Sequence, residues 1–230
     1  MVRWLFLVAI ASGVVLRVAA FARVRPLWED EVFLALNILS KSFVGLMGPL
    51  DSMQMSPLGF LWIEWIATRL LGSGELALRA LPLVAGVAAL IGFSTLARRI
   101  LDPGAALVAT VLASVSPLLI HYSTEVKSYA FDALTATVLM HTTLDAEQDD
   151  ARTRRGVGVH WVIAAVFASL FSTAAPFIVG GCAGALVARN RFRLDRYSQN
   201  VLGACLPAAI LFVVQLLTVY NAPLITILFS

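Results

Sequence analysis

The 230 residues carry 60% hydrophobic side chains and only 13% charged ones, with a mean hydropathy of +0.87. A water-soluble domain carries about 25% charged residues, so a soluble globule is excluded and lipid is the natural solvent. The net charge of +3 does not point to nucleic acid, because the Lys and Arg residues stand in short clusters between apolar runs, as in the loops of polytopic membrane proteins.

The first apolar run, Trp4–Phe21, follows Arg3 and ends among Ala19, Ala20 and Ala22. A signal peptide reads similarly, but Arg17 interrupts the small-residue end, and an uncleaved first span fits the later charge pattern better. Further apolar runs lie at Leu58–Leu71, Ala80–Ala97, Ala105–Ile120, Tyr129–Leu144, Trp161–Phe171, Phe177–Ala188 and Val201–Tyr220. A spanning helix needs about 20 residues; several of these runs are shorter, so charge must decide the topology. If Leu58–Leu71 crosses, every later basic cluster falls outside. If it lies in the interface, Arg3, Arg98–Arg99, Arg152–Arg154–Arg155 and Arg189–Arg191–Arg193–Arg196 all fall inside, as the positive-inside rule requires.

The expected architecture is all-α: a single polytopic transmembrane bundle over residues 1–230, with about seven spans and an inside N-terminus. Its long first outer loop, residues 22–78, would hold two helices lying on the membrane surface. Asp30, Asn37 and Lys41 recur at seven and four residues and share one helical face, while Val32, Leu36 and Leu39 cover much of the rest. Leu58–Leu71 would be the second such helix, with Pro57 at its start. A short outer loop is expected at His121–Ser128, a solvated connector at Asp145–Gly158 and a tight hairpin at Ser172–Pro176. Gly180, Gly181 and Gly184 suggest close helix packing. Trp62, Trp65 and Trp161 read as interfacial aromatics. Cys182 and Cys205 lie in apolar runs and read as small hydrophobes.

Two polar stretches could carry chemistry. Trp28-Glu29-Asp30-Glu31 places three carboxylates directly after the first span. Carboxylates are costly near hydrocarbon, and desolvation raises their pKa, which suits a general base taking a proton from a hydroxyl. Acidic residues in a first helical turn also favour the macrodipole, and the sequence leaves both readings open. The second stretch, His121-Tyr122-Ser123-Thr124-Glu125-Val126-Lys127-Ser128-Tyr129, is unusually polar for a short loop. Lys127 could hold a lipid phosphate. Glu125 could orient Lys127, bind a sugar hydroxyl or ligate a metal, and Asp132, seven residues on, could share its face. The alternative is an interfacial belt of Tyr and Lys. His121 reads as an interfacial histidine, and Asp51, Gln54 and Ser56 as turn and cap residues before Pro57. Neither a glycine-rich nucleotide loop nor a DxD pair is present.

In order along the chain, Trp28-Glu29-Asp30-Glu31 resembles W-x-D-E after a first span, and Ser56-Pro57-Leu58-Gly59-Phe60-Leu61 resembles a P-P-L-Y-Y-L segment. Glu75–Pro82 through Ala97-Arg98-Arg99 resembles a second span with a basic inner end. Ser116-Pro117-Leu118 and Tyr122–Ala130 resemble S-P-L and Y-S-x-E-x-R-x-Y-A. Together these resemble the GT-C membrane glycosyltransferases, specifically the dolichyl-phosphate-mannose protein mannosyltransferase-like and RgtA-like group, over residues 1–145.

The resemblance implies an inverting transfer of a sugar from a polyprenyl-phosphate donor to a hydroxyl of a lipid, glycan or protein acceptor. The reaction would take place on the extracytoplasmic face of a bacterial inner membrane. It implies Asp30 as base with Glu31 as its partner, and a substrate-binding set of Glu29, Tyr122, Glu125, Lys127, Tyr129 and Asp132. Lys127 stands where the family often has Arg. Some members need a divalent cation, Mg or Mn, and this stays open. Members commonly run well beyond this length, so the chain is expected to be an N-terminal portion. Two other readings compete: a transporter or flippase of lipid-linked substrates, and a non-catalytic membrane scaffold.

Overall fold

The computed structural model describes residues 2–153, 158–193 and 195–219. Every regular element among the described residues is helical. The chain runs α1 (Val2–Ala22), α2 (Glu29–Ser40), a single 3-10 turn (Gly45–Met47), α3 (Leu58–Leu71), α4 (Glu75–Ile100), α5 (Pro103–Val115) and α6 (Pro117–Tyr122). It continues through α7 (Tyr129–Thr153), α8 (Val159–Phe171), α9 (Ala175–Arg189), α10 (Arg196–Ala204) and α11 (Leu206–Thr218).

The long helices run alternately between two ends. At the basic end, Arg98 lies over the Phe6 ring, Arg99 pairs with Asp145 at 2.6 Å, and Arg189 pairs with Glu147. At the opposite end, Arg17 meets Ser123, Arg25 meets His121 and Arg79 meets Glu31. By length and composition, Arg3–Ala22, Glu75–Ile100 and Arg196–Thr218 are apolar enough to cross a membrane, and α5, α8 and α9 are shorter apolar helices.

The two helices expected in the first outer loop form and dock on each other. Trp62 and Trp65 donate from their indole nitrogens to the carbonyls of Phe43 and Lys41, and Arg69 donates to Leu39 O, all just beyond or at the end of α2. Leu34 and Ile38 of α2, Phe60 and Leu61 of α3, Leu78 of α4, and Val126 and Phe131 pack as one buried cluster beneath this unit. A second cluster joins α7, α8, α9 and α11 around Trp161, Ala165, Ala168 and Val179.

Four expectations are corrected. The run Ala105–Ile120 is broken at Ser116-Pro117, because proline cannot donate to the carbonyl four residues back; α6 starts afresh with Ser116 as its cap, Oγ accepting from Leu119 N. Helix α7 continues through Asp145 to Thr153, well into the stretch expected as a connector; Arg154 and Arg155 lie outside the described residues. Trp161 is buried, its Nε1 donating to Thr143 Oγ1 at 3.0 Å, rather than interfacial. A Cβ added at Gly180, Gly181 or Gly184 would meet nothing. Close approach occurs instead at Gly86, where a Cβ would collide with Ser123 Oγ, and at Gly92, where it would stand 2.7 Å from Thr137 Cγ2. Helix α4 therefore packs through its glycines against α7 and the residue that follows α6. The expected last span, Val201–Tyr220, falls within the apolar stretch Arg196–Thr218, where the single turn residue Cys205 separates α10 from α11; Tyr220 lies outside the described residues.

Candidate functional site

At the end opposite the basic clusters, α2, the turn before α3 and the loop before α7 bring polar groups together. The first turn of α2 carries three carboxylates with three different fates. Glu29 is exposed. Asp30 points across to the loops: Oδ2 lies 2.6 Å from Lys127 Nζ, and Oδ1 accepts from Gln54 Nε2 at 2.8 Å. Lys127 Nζ also donates to Gln54 Oε1 at 2.9 Å, closing a three-residue ring. Glu31 is buried. It accepts from Val126 N at 2.8 Å and Trp28 N at 3.3 Å, and pairs with Arg79 at 3.3 Å.

The Asp30 carboxyl departs from the sequence expectation. Burial pushes it up, but the hydrogen bonds from Lys127 and Gln54 and the charge of Lys127 outweigh burial and hold it below the usual carboxylate range. It is a paired, ionised carboxylate and not a desolvated acid.

Glu125 is buried beside this ring. Its Oε1 accepts from Trp28 Nε1 at 3.0 Å and lies 3.6 Å from His121 Nε2, while Oε2 is buried without a partner. The other imidazole nitrogen, His121 Nδ1, stands 2.9 Å from Arg25 Nη1. Arginine can only donate, so Nδ1 accepts, and the remaining imidazole proton sits on Nε2, facing Glu125. Asp132 does not share a face with Glu125, because α7 starts only at Tyr129. It sits against Ser172 and the amides of Thr173 and Ala174, tying α7 to the α8–α9 hairpin.

The Tyr122 and Tyr129 rings meet at a tilt of 46° with centroids 4.7 Å apart. Both line a cavity of about 370 Å³ that continues between α4, α5 and α7 past Leu90, Phe93 and Leu96 to Ile100 and Met140. Its wall is apolar apart from Arg17, Ser123, Thr137 and the tyrosines. Ser123 and Tyr129 flank Glu125 and Lys127 in the chain, and the Tyr129 hydroxyl is within electrostatic reach of Glu125 and Asp30, so this end of the cavity neighbours the polar cluster.

Among the described residues, no group of three or more His, Cys, Asp or Glu side chains stands together to hold a metal ion. Both Asp30 oxygens are taken by Lys127 and Gln54. The positive charge beside Asp30 is the Lys127 ammonium.

The sequence reading gave Gln54 only a turn role. It is buried, yet it touches both Asp30 and Lys127. The only sequence signal is the spacing of Asp30, Asn37 and Lys41 on one face of α2, because all three grip the turn that carries Gln54. Asn37 Oδ1 accepts from Asp51 N at 2.8 Å, and Lys41 pairs with Asp51 at 3.1 Å.

A family model described as dolichyl-phosphate-mannose-protein mannosyltransferase matches residues 55–217. The match takes in α3 through α11 with Glu125, Lys127 and Asp132, and leaves Asp30, Glu31 and Gln54 outside it. No curated protein and no solved structure gives a significant match.

Proposed function

The chain belongs to the dolichyl-phosphate-mannose-protein mannosyltransferase family, and from that premise we propose that it moves a sugar from a polyprenyl-phosphate donor to an acceptor hydroxyl. The observation that carries this reading is the adjacency of the Asp30–Lys127–Gln54 ring to the cavity behind Tyr122 and Tyr129. A lipid-linked sugar phosphate has both parts: a long apolar chain for the cavity and an anionic, hydroxyl-rich head for the polar cluster.

In this reading the prenyl chain lies between α4 and α7, and the phosphate meets Lys127. The Glu125 Oε2, buried and unpaired, accepts from a sugar hydroxyl. Asp30 takes the proton of the acceptor hydroxyl as its oxygen bonds to the anomeric carbon. The bond from that carbon to the phosphate oxygen breaks, and the electron pair leaves with the lipid phosphate, whose charge Lys127 offsets. Attack opposite the leaving group inverts the anomeric centre. Glu31, with its oxygens engaged by Arg79, Val126 and Trp28, acts by holding Asp30 in place.

Seven alternating helices cross the membrane in this reading: α1, α4, α5 with α6, α7, α8, α9, and α10 with α11. The basic clusters then face the cytoplasm and the site faces the extracytoplasmic side of a bacterial cell membrane. The acceptor is a lipid, glycan or protein hydroxyl.

The test is transfer by the purified chain in detergent, with radiolabelled polyprenyl-phosphate sugars and a membrane extract as acceptor. Wild type should transfer and Asp30→Asn should lose about 10²–10⁴-fold while eluting and melting like wild type. A folded wild-type sample that transfers none of the offered sugars would move the assignment to the scaffold reading.

A further inference from the structure

We propose that Gln54 is a positioning residue for the Asp30–Lys127 pair, and that this pair is a latch which the donor's phosphate opens. The inference rests on the reading of Asp30 and Lys127 given above.

The geometry fixes the Gln54 amide. Its nitrogen must face the Asp30 carboxylate and its oxygen the Lys127 ammonium, because the flipped amide would set acceptor against acceptor and donor against donor. With contacts of 2.8 and 2.9 Å and a 2.6 Å ion pair closing the ring, no other neutral side chain of this size serves both partners at once.

The backbone is bent to deliver it. Ser52 and Met53, immediately before Gln54, both adopt left-handed conformations with φ of 56° and 52°. Neither is glycine, and such residues persist only where surrounding structure over-determines them. The surroundings here are the polar face of α2. Asn37 holds both the N–H and the carbonyl of Asp51, at 2.8 and 3.2 Å, and Lys41 holds the Asp51 side chain. The helix that carries Asp30 therefore also clamps the strained turn that carries Gln54.

In the free protein the ring is closed and Asp30 is masked by Lys127. An arriving phosphate offers Lys127 a stronger anionic partner. When the ammonium turns to it, Asp30 loses the contact that weakens it as a base, while Gln54 Nε2 keeps the carboxylate aimed. The base is exposed only once the leaving group is seated. The other charged or titratable groups around Asp30 are Glu125 from the same loop, Tyr129 at the start of α7, and Glu29 and Glu31 on its own helix, the last paired with Arg79.

Two measurements test this on the full chain in detergent, using wild type, Gln54→Leu and Gln54→Glu. The first is the pH profile of transfer. Wild type should show the acid limb of kcat, which reports the substrate complex, at higher pH than that of kcat/KM, which reports the free enzyme. Gln54→Glu should raise the kcat/KM limb by drawing Lys127 from Asp30. Gln54→Leu should lower kcat about 10–100-fold with little change in donor KM. Profiles that coincide in wild type and stay put in both variants would overturn the proposal.

The second needs no turnover: carbodiimide labelling of Asp30, read by mass spectrometry, with and without sugar-free polyprenyl phosphate. Labelling of wild type should rise severalfold with the lipid phosphate, and Gln54→Glu should label readily without it. Labelling indifferent to the probe in wild type sinks the latch even if transfer is observed. A rise in a sample that transfers no sugar would keep the latch and sink the glycosyltransferase reading. Melting curves that match wild type confirm that the variants are folded.

Discussion

Arg79 and Glu31 form a buried ion pair between the start of α4 and the start of α2, with Nη2 3.3 Å from Oε2. Arg79 Nη1 also donates to Arg25 O at 2.6 Å, and Glu31 receives the Val126 amide. One contact network thus holds the end of the α1–α2 linker, the first turn of α2 and the loop that bears Lys127. Removing Arg79 strands Glu31 in a buried place, and removing Glu31 leaves the buried Arg79 with only the partly exposed Glu75, whose Oε2 lies 3.7 Å from Nη1. Glu31→Gln should cost about 3–5 kcal/mol, read as a lower melting temperature in detergent and a shallower denaturant resistance. The double variant Glu31→Leu with Arg79→Met should recover most of that loss, because no charge is left uncompensated. Equal melting of wild type and Glu31→Gln would mean the pair is solvated.

Arg17 serves a comparable purpose inside the first span. Its guanidinium donates to Ala113 O at 3.2 Å, Ser114 O at 3.3 Å, Gly13 O at 3.0 Å and Ser123 Oγ at 3.2 Å. The two α5 carbonyls lack helical partners because the chain breaks at Ser116-Pro117, and a cation at a helix C-terminus also meets the dipole favourably. Arg17→Met leaves both carbonyls unsatisfied, while Ser123 Oγ keeps its bond to Leu119 O, and should destabilise by an amount of order 3 kcal/mol. Arg17→Lys should fall between, keeping the charge but not the fork. A Lys variant as weak as Met would show that geometry and not charge is what α5 needs.

These two residues show where sequence reading reaches and where it stops. Helix α2 is legible because Asp30, Asn37 and Lys41 keep a helical period, and α3 because Leu58–Leu71 is an apolar run that follows Pro57. The charge clusters are legible as one end of the bundle because Arg98, Arg99 and Arg189 alternate with apolar runs. Asp30 and Lys127 stand out as candidates because ionisable groups beside hydrocarbon are rare. Gln54 does not stand out: a neutral side chain in a short polar turn reads as a cap, and its partners lie 24 and 73 residues away. The role of Arg17 depends on a helix break in another span, and the sense of the Asp30 shift depends on an ammonium that only the fold brings within 2.6 Å. Periodicity reports faces; it does not report which distant loop a face will meet.

Gln215 makes the longest of the buried polar ties. Its Oε1 accepts from Leu58 N at 2.7 Å and its Nε2 donates to Ser169 O at 2.7 Å, so one amide on α11 holds the first residue of α3 and the last turn of α8. Gln215→Leu keeps the volume but leaves two buried backbone groups without partners, at about 1–3 kcal/mol each. The expected result is a lower melting temperature together with faster proteolysis in the turn before Leu58. Unchanged proteolysis there, with a lowered melting temperature, would place the loss at α8 instead.

Glu64 of α3 is buried with neither carboxylate oxygen hydrogen-bonded. Burial pushes its carboxyl well above the usual range. The folded state therefore holds the Glu64 proton more tightly than the unfolded chain, whose carboxyl titrates at about 4.3. Stability from this group is fully present below that value and is lost progressively as pH rises toward the folded pKa. Glu64→Gln cannot ionise and escapes the loss. Melting curves of wild type and Glu64→Gln should nearly coincide at pH 4 and separate as pH rises toward 8, with the variant the more stable. Subtracting one curve from the other cancels every other titrating group, so the separation isolates Glu64. A separation that stays constant with pH, or one in which wild type gains, would mean that the carboxylate finds a charged or watery partner beside α3 and is not held as a neutral acid.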